Sequence, residues 1–376
     1  MGWWFGRKAA PADARALVPA WLSASEQVGF ARSYEAQVEE VFRRNPVGQR
    51  SVRLVAGMFG GLTIDGDERA LALIQADGLL ESLAAQLLLH GNSYAQLIVG
   101  DDGAPAEICT LRPERVSVVA DERGWPTAYL YRVAGRVTRF ERLDALGRRQ
   151  VAHLKALHPR DDHYGMGCLE AACPAATVHN GASRWNKALL DNAARPSGAL
   201  VYDPGDCATL STEQFNRLKE DLAAEFSGSG NAGRPLLLEG GLRWQAMSLT
   251  PADMDFIGLK AGAAREIALA FGVPPLLLGL PSDVTYANYR EANRALWRQT
   301  VLPMADRILR GLSDALAAWW PGLKLEIDLD RIGALSGERE RLWRQLNAAD
   351  FLTDAEKREM LGFAPRTEDE AAGARA

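Results

Sequence analysis

Arg265-Glu266-Ile267-Ala268-Leu269-Ala270-Phe271-Gly272-Val273-Pro274-Pro275 lies within the stretch, Thr250 to Trp320, whose reading decides the fold. Thr250 is a good N-cap and Pro251 suits the first helical position, so a helix is expected to run from there to residue 272. Gly272 and Pro274 end it, because glycine accepts a left-handed terminus and proline cannot extend a helix. A polar loop follows, from Gly279 to Asn288. From Tyr289 to Trp320 a second, long helix is predicted. Leu296, Leu302, Ala305, Ile308, Leu309, Leu312, Ala315, Leu316 and Trp319 recur at steps of three and four and mark one buried stripe. Pro303 falls inside it, so the helix must kink or restart there. Arg290, Arg294 and Arg298 stand four apart and share a face near the loop. That face is either simply solvated or meets a neighbouring subunit or a polyanion.

Outward from this stretch, the chain reads as an α+β protein. Residues 1 to about 45 are expected to form a loose arm, opening on Trp3, Trp4 and Phe5, and then a polar helical segment. An apolar segment from Val47 to Gly61 follows. Ser82 to Gly91 reads as a helix with glycine at its C-terminal end. It feeds a strand from Asn92 to Val99, and further strands are expected at 107–111, 116–119, 128–133 and 137–140. Together these make an α+β domain of roughly 165 residues. An alanine-rich helix is predicted from Pro174 to Ala194. Its Ala172, Ala175, Ala176, Gly181, Ala182 and Ala188 suit either an ordinary core helix or one stave in a ring of identical helices. Residues 197–249 form a β-helix-β insertion, with strands at Ala199–Tyr202, Leu236–Leu238 and Leu242–Met247 and a capping box at Ser211-Thr212-Glu213-Gln214. After the long helix, Leu323 to Leu329 alternates as a strand, Gly337 to Ala348 is a charged amphipathic helix, and Thr353-Asp354-Ala355-Glu356 is a second capping box. The last ten residues read as a tail.

Composition excludes several classes. The 376 residues carry a net charge of −5 with no basic run, which argues against a dedicated sequence-reading nucleic-acid binder. No apolar run reaches membrane-spanning length, and the N-terminal segment lacks the pattern of a signal sequence. Cys109, Cys168, Cys173 and Cys207 lack metal-ligand spacing and fit reduced thiols. Gly228-Ser229-Gly230-Asn231-Ala232-Gly233 matches G-x-G-x-x-G literally but follows a helix and precedes a strand, the reverse of a dinucleotide fingerprint. The best imitation of an active site is His158-Pro159-Arg160-Asp161-Asp162-His163-Tyr164-Gly165. Two histidines flank two aspartates there, which suits a soluble metal-dependent or acid–base enzyme. No phosphate loop, paired nucleophile or metal-spacing motif accompanies it.

Three phrases carry a resemblance. Ile267-Ala268-x-x-Phe271-Gly272-Val273-Pro274-Pro275-x-x-x-Gly279, then Thr285-Tyr286-Ala287-Asn288-Tyr289-x-x-Ala292, then Leu302-Pro303, resemble in order and spacing the portal proteins of long-tailed double-stranded DNA phages and gene transfer agents. Gly91-Asn92-Ser93-Tyr94-Ala95 and Leu111-Arg112-Pro113-Glu114-Arg115-Val116 extend the likeness. The resemblance covers about residues 50 to 365. It implies a structural protein without cofactor, not an enzyme: a homo-oligomeric ring, typically of twelve subunits, at one capsid vertex. Double-stranded DNA would pass through it without sequence specificity. The implied partners are the terminase large subunit, the head–tail adaptor and the major capsid protein, with no membrane. Carried onto this sequence, it implies a wing (1–167, completed by a spine helix and strand at 289–335), stem helices (168–196 and 250–273), a clip (197–249) and a short crown (336–376). Between the second stem helix and the spine lies a tunnel-loop region (274–288), whose Ser282, Asp283, Val284, Thr285, Tyr286 and Asn288 would face DNA. Arg290, Arg294 and Arg298 would contact DNA or a neighbouring subunit.

Overall fold

A computed structural model describes residues 31–361 apart from 32, 77, 192–197, 203–210, 215, 218–219, 221–241, 247–254 and 281–284. The N-terminal aromatics, the glycine-rich 228–233 segment, the strand expected at Leu236–Leu238, Cys207, the caps Thr250 and Pro251 and the tail lie outside the described residues.

At the centre is a three-stranded antiparallel sheet in the order β3–β2–β7, with β2 at Asn92–Val99, β3 at Pro105–Leu111 and β7 at Val151–Lys155. Tyr94 sits opposite both Leu111 and His153. Side chains alternate across a strand, so each face of this sheet serves a different core. Ala95, Leu97, Ala152 and Leu154 enter the larger one. That core includes the helices α2 (Pro46–Gly60), α4 (Leu79–His90) and α8 (Leu302–Leu316). Tyr94, Leu111 and Val151 point the other way. There they meet Val116, Val118 and Tyr129 of a second antiparallel sheet, β4 (Val116–Ala120), β5 (Pro126–Val133) and β6 (Arg136–Glu141). The arrangement is thus three layers: helices, central sheet, outer sheet. Alongside the helical layer runs a small ribbon, β1 (Ile64–Asp65) paired with β10 (Glu326–Ile327); a short helix α3 (Glu68–Ile74) follows β1.

Strand β7 was not foreseen, because three of its five residues are buried and no polar alternation marks it. The strand expected at 323–329 is cut to Glu326–Ile327. A 3-10 turn at Leu329–Arg331 interrupts it, after Asp328 N–H donates to the Thr63 carbonyl.

From this body extend two helices, α5 (Leu169–Asp191) and α6 (Phe256–Ala270), which pack on each other. Helix α5 starts five residues before the expected Pro174, which is accommodated in its interior. Its alanines do not wait for a neighbouring subunit. Ala172, Ala175, Ala176 and Ala182 are already buried within the single chain, as are Ala263, Ala264 and Ala268 of α6. Small side chains let two backbones approach, and here the close pair is intrachain. Trp185 stacks on Phe256 with ring centroids 6.0 Å apart. The strands expected at 199–202 and 242–247 are present as β8 (Gly198–Tyr202) and β9 (Leu242–Ala246), which pair antiparallel. The Ser211–Gln214 capping box is present, with both reciprocal hydrogen bonds. At the C-terminal end α9 (Ser336–Asn347) precedes α10 (Asp354–Met360), whose Thr353–Glu356 capping box also forms.

Candidate functional site

Helix α6 ends in a Schellman motif. Gly272 has φ +65°, its N–H donates to the Leu269 carbonyl, and Val273 N–H reaches back to that of Ala268. Pro275–Leu278 makes a 3-10 turn closed by Gly279, and residues 281–284 lie outside the description. Ser282, Asp283 and Val284 fall there. Thr285 caps the next helix, α7 (Tyr286–Leu296), its hydroxyl oxygen accepting from Asn288 N–H at 3.2 Å. The helix therefore starts three residues before the expected Tyr289, and Tyr286 and Asn288 belong to its exposed first turn. Tyr286 is 78% exposed.

The three arginines are not equivalent. Arg290 stacks over the Tyr286 ring at 5.8 Å and is exposed. Arg294 is folded in, 16% exposed at its side chain and paired with Glu291 at 3.1 Å. Arg298 is exposed on a π-helical turn, Trp297–Val301, that joins α7 to α8. That turn answers the question Pro303 raised. A π turn is the wider turn, and placing one just before the proline relieves the ring clash without ending the helix. Thr300, within the turn, donates its hydroxyl to the Gly272 carbonyl at 2.7 Å. One hydrogen bond thus ties the end of α6 to the junction of α7 and α8.

The His158–Tyr164 segment is built as a turn and not as a catalytic cluster. Asp161 Oδ1 accepts from the backbone N–H groups of His163 (2.8 Å) and Tyr164 (3.0 Å). Lys155 Nζ donates to the Asp162 carbonyl, and His158 Nδ1 accepts from Arg160 N–H. Tyr164 Oη accepts from Val118 N–H at 2.9 Å and so anchors the outer sheet. Among the described residues no group of three His, Cys, Asp or Glu side chains could hold a metal ion.

The residues that sequence reasoning missed lie just behind this turn. Asn92, fully buried, accepts from Gly165 N–H at 2.7 Å and donates to the Gly165 carbonyl at 3.0 Å. Because those backbone groups are unambiguous, they fix the orientation of the Asn92 amide. Its oxygen then requires His153 Nε2 to be the donor at 3.1 Å, and its NH₂ requires His90 Nδ1 to be the acceptor at 3.1 Å. Burial depresses both imidazoles, His90 to about 4 and His153 to about 3, with Lys155, His90 and His163 adding smaller repulsions at His153. Both are held neutral. A Cβ on Gly91, Gly165 or Gly167 would lie 2.1–2.3 Å from backbone of the opposite segment, so three glycines let the two segments touch. The phrase Gly91-Asn92 was the signal available in the sequence; its partner 73 residues away was not.

The Phage portal protein family model matches residues 72–362, most of the chain. The chain belongs to the phage portal protein family. Portal proteins are structural, not enzymes, so the reading of the histidine–aspartate loop as an active site falls, in agreement with its turn geometry. An uncharacterized protein of Rickettsia felis is 46% identical over 289 residues, covering 75% of this chain and 73% of that protein. A chain in the structure of the neck of a native gene transfer agent particle, computed with C12 symmetry, is 44% identical. The match covers 92% of this chain and 97% of that one, with a TM-score of 0.69. The crystal structure of an HK97-family phage portal protein from Corynebacterium diphtheriae, 16% identical, covers 80% of this chain and 96% of that one with a TM-score of 0.58. At that identity the likeness speaks for the portal fold alone.

Proposed function

We propose that this portal protein is the repeating subunit of a twelvefold ring at one capsid vertex of a gene transfer agent or phage particle. Through the ring DNA enters during packaging and later leaves. The observation that carries the reading is the 44% likeness, over nearly the full length of both chains, to a chain of a neck with C12 symmetry. Under this reading residues 1–167 and 289–335 are the wing, 168–196 and 250–273 the stem, 197–249 the clip that meets terminase and then the head–tail adaptor, and 336–376 a short crown. The major capsid protein surrounds the wing. Residues 274–288 form the tunnel loop, with Ser282, Asp283, Val284, Thr285, Tyr286 and Asn288 toward DNA.

Such a channel must neither hold DNA nor let it leak. Twelve copies at −5 each carry roughly −60, a field that repels phosphate at short range. Arg290 and Arg298, exposed next to the tunnel loop, supply weak, salt-dependent contact that does not arrest translocation; Arg294, committed to Glu291, serves the helix. The test is DNA content per particle in a host lacking this gene and complemented with Arg290→Glu/Arg298→Glu. Assembled particles with at least a tenfold loss of packaged DNA are expected. Normal DNA content would remove these arginines from the channel, and particles that package without any copy of the gene would remove the portal role.

A further inference from the structure

On the outer face of the β4–β5–β6 sheet Arg132, Val137 and Arg139 are exposed, while Ala128 is buried. The sheet's inner face is consumed by Tyr94, Leu111, Val151 and Tyr164. The register places Arg132 beside Val137, and Leu130 beside Arg139, on the opposite face. Val137 is 53% exposed, and of β6 only Phe140 is partly covered. Residues 112–150 hold nine arginines and no lysine against five carboxylates, a positive lobe in a chain whose total is −5. Arg132 donates to the Ser117 hydroxyl and Arg139 pairs with Glu141.

A surface of opposite sign lies across the molecule. The β1–β10 ribbon adjoins the helical layer, on the other side of the central sheet from β4–β6. Its register sets Asp65 directly opposite Glu326, and like charges facing one another across a ladder cost stability. Neighbouring carboxylates are neutralised locally, Asp67 by Arg69 and Asp328 by Arg331. Asp65 and Glu326 are exposed and make no ion pair among the described residues.

We propose that the outer face of the β4–β5–β6 sheet in one subunit docks on the Asp65–Glu326 ribbon of the next. The proposal rests on the ring reading above. A head-to-tail contact that closes into a ring needs two different, complementary patches on one chain, and this chain carries them on opposite sides of its central sheet. A second copy is favoured over DNA as occupant for two reasons. Arg132 and Arg139 are interleaved with Leu130 and Val137 and already engage Ser117 and Glu141, and DNA would leave the facing carboxylates uncompensated. Guanidiniums from a neighbour relieve that repulsion, with a contact that weakens as salt screens it.

Charge exchange tests this on the full-length chain. Arg132→Glu/Arg139→Glu, Asp65→Lys/Glu326→Lys and the four-fold combination are compared with the parent by mass photometry over a salt series. Melting curves establish that each variant is folded, and a labelled duplex DNA measures binding. Each pair is expected to raise the concentration for half-assembly at least tenfold, and the combination to restore it to within about threefold of the parent. Rings indifferent to either reversal, or a combination worse than both, would overturn the pairing. Loss of duplex binding by Arg132→Glu/Arg139→Glu with rings unchanged would assign the face to nucleic acid instead. A parent chain that forms no rings under any condition would overturn the ring reading, and this proposal with it.

Discussion

Asn92 ties the turn after β7 to the start of β2, and its amide geometry makes a quantitative prediction. Replacing it with alanine strands two buried backbone groups at Gly165 and leaves two imidazoles without their partner, each such loss costing about 1–3 kcal/mol. A drop of about 3 kcal/mol or more in unfolding free energy is expected in a urea titration, with the slope unchanged. The same site sets an acid limit. Folded His90 and His153 have pKa values depressed below the unfolded 6.5, so the unfolded chain binds more protons in this range. Their contribution is present above pH 6.5 and is lost progressively as pH falls from there toward 4 and 3. Protonation of His90 also turns its Nδ1 acceptor into a donor facing the Asn92 NH₂. Urea midpoints measured from pH 7 to pH 4.5 should fall, and His153→Gln should flatten the slope; a flat profile in the parent would contradict the neutral pair. Beyond the phrase Gly91-Asn92 the local sequence did not announce this cluster, since its cohesion comes from a contact between positions 92 and 165. Of the four aspartates and histidines that did stand out, Asp161 and His158 hold the turn through their side chains, Asp162 and His163 only through backbone groups. Composition marked them, while geometry gave them their role.

The junction of α6, α7 and α8 depends on Gly272 and Thr300. Gly272→Ala forces a non-glycine residue to φ +65° and brings a Cβ to 2.8 Å from the Thr300 hydroxyl, for a cost of about 2 kcal/mol in all. Thr300→Ala alone removes a single hydrogen bond and should cost about 1 kcal/mol. Because the clash disappears with the hydroxyl, the double variant should be more stable than the sum of the two losses; strict additivity in the melting cycle would show that the two groups do not meet. In the outer sheet the hairpin between β5 and β6 turns through Ala134 at φ 47° and Gly135 at φ 81°. Turns of this kind favour asparagine or glycine first, so Ala134→Asn should raise stability by about 0.5–1 kcal/mol in the same assay.

These elements also show what could be read in advance. Caps at Ser211, Gly272 and Thr353 and the strands β2 to β6 followed from local chemistry and alternation, which depend on neighbours in sequence. Strand β7 and the early start of α5 did not. A mostly buried strand has no polar phase, and the first turn of α5 is held by Cys168 N–H donating to the Leu88 carbonyl, a tertiary contact. The π turn at Trp297–Val301 was legible only as a difficulty at Pro303.

For the molecule as a whole, the sequence carried the family through three phrases spread over residues 267–303, because their spacing reflects one continuous helix–turn–helix unit. The alanines of α5 were harder to place. Their burial is intrachain, and outward on the helix pair are Ile257 (87% exposed), Leu269 (77%), Leu259, Val178 and Trp185. A monomer leaving these apolar groups bare should self-associate, and closure into a ring covers them without leaving free ends. The decisive measurement is the mass and shape of the purified full-length chain, by light scattering beside negative-stain electron microscopy. Closed rings with a central channel and a mass of about 490 kDa, twelve chains of 40.9 kDa, are expected. A compact 40.9 kDa monomer that stays single at every concentration and salt, and still fails to close when capsid protein is added, would contradict the portal-ring function.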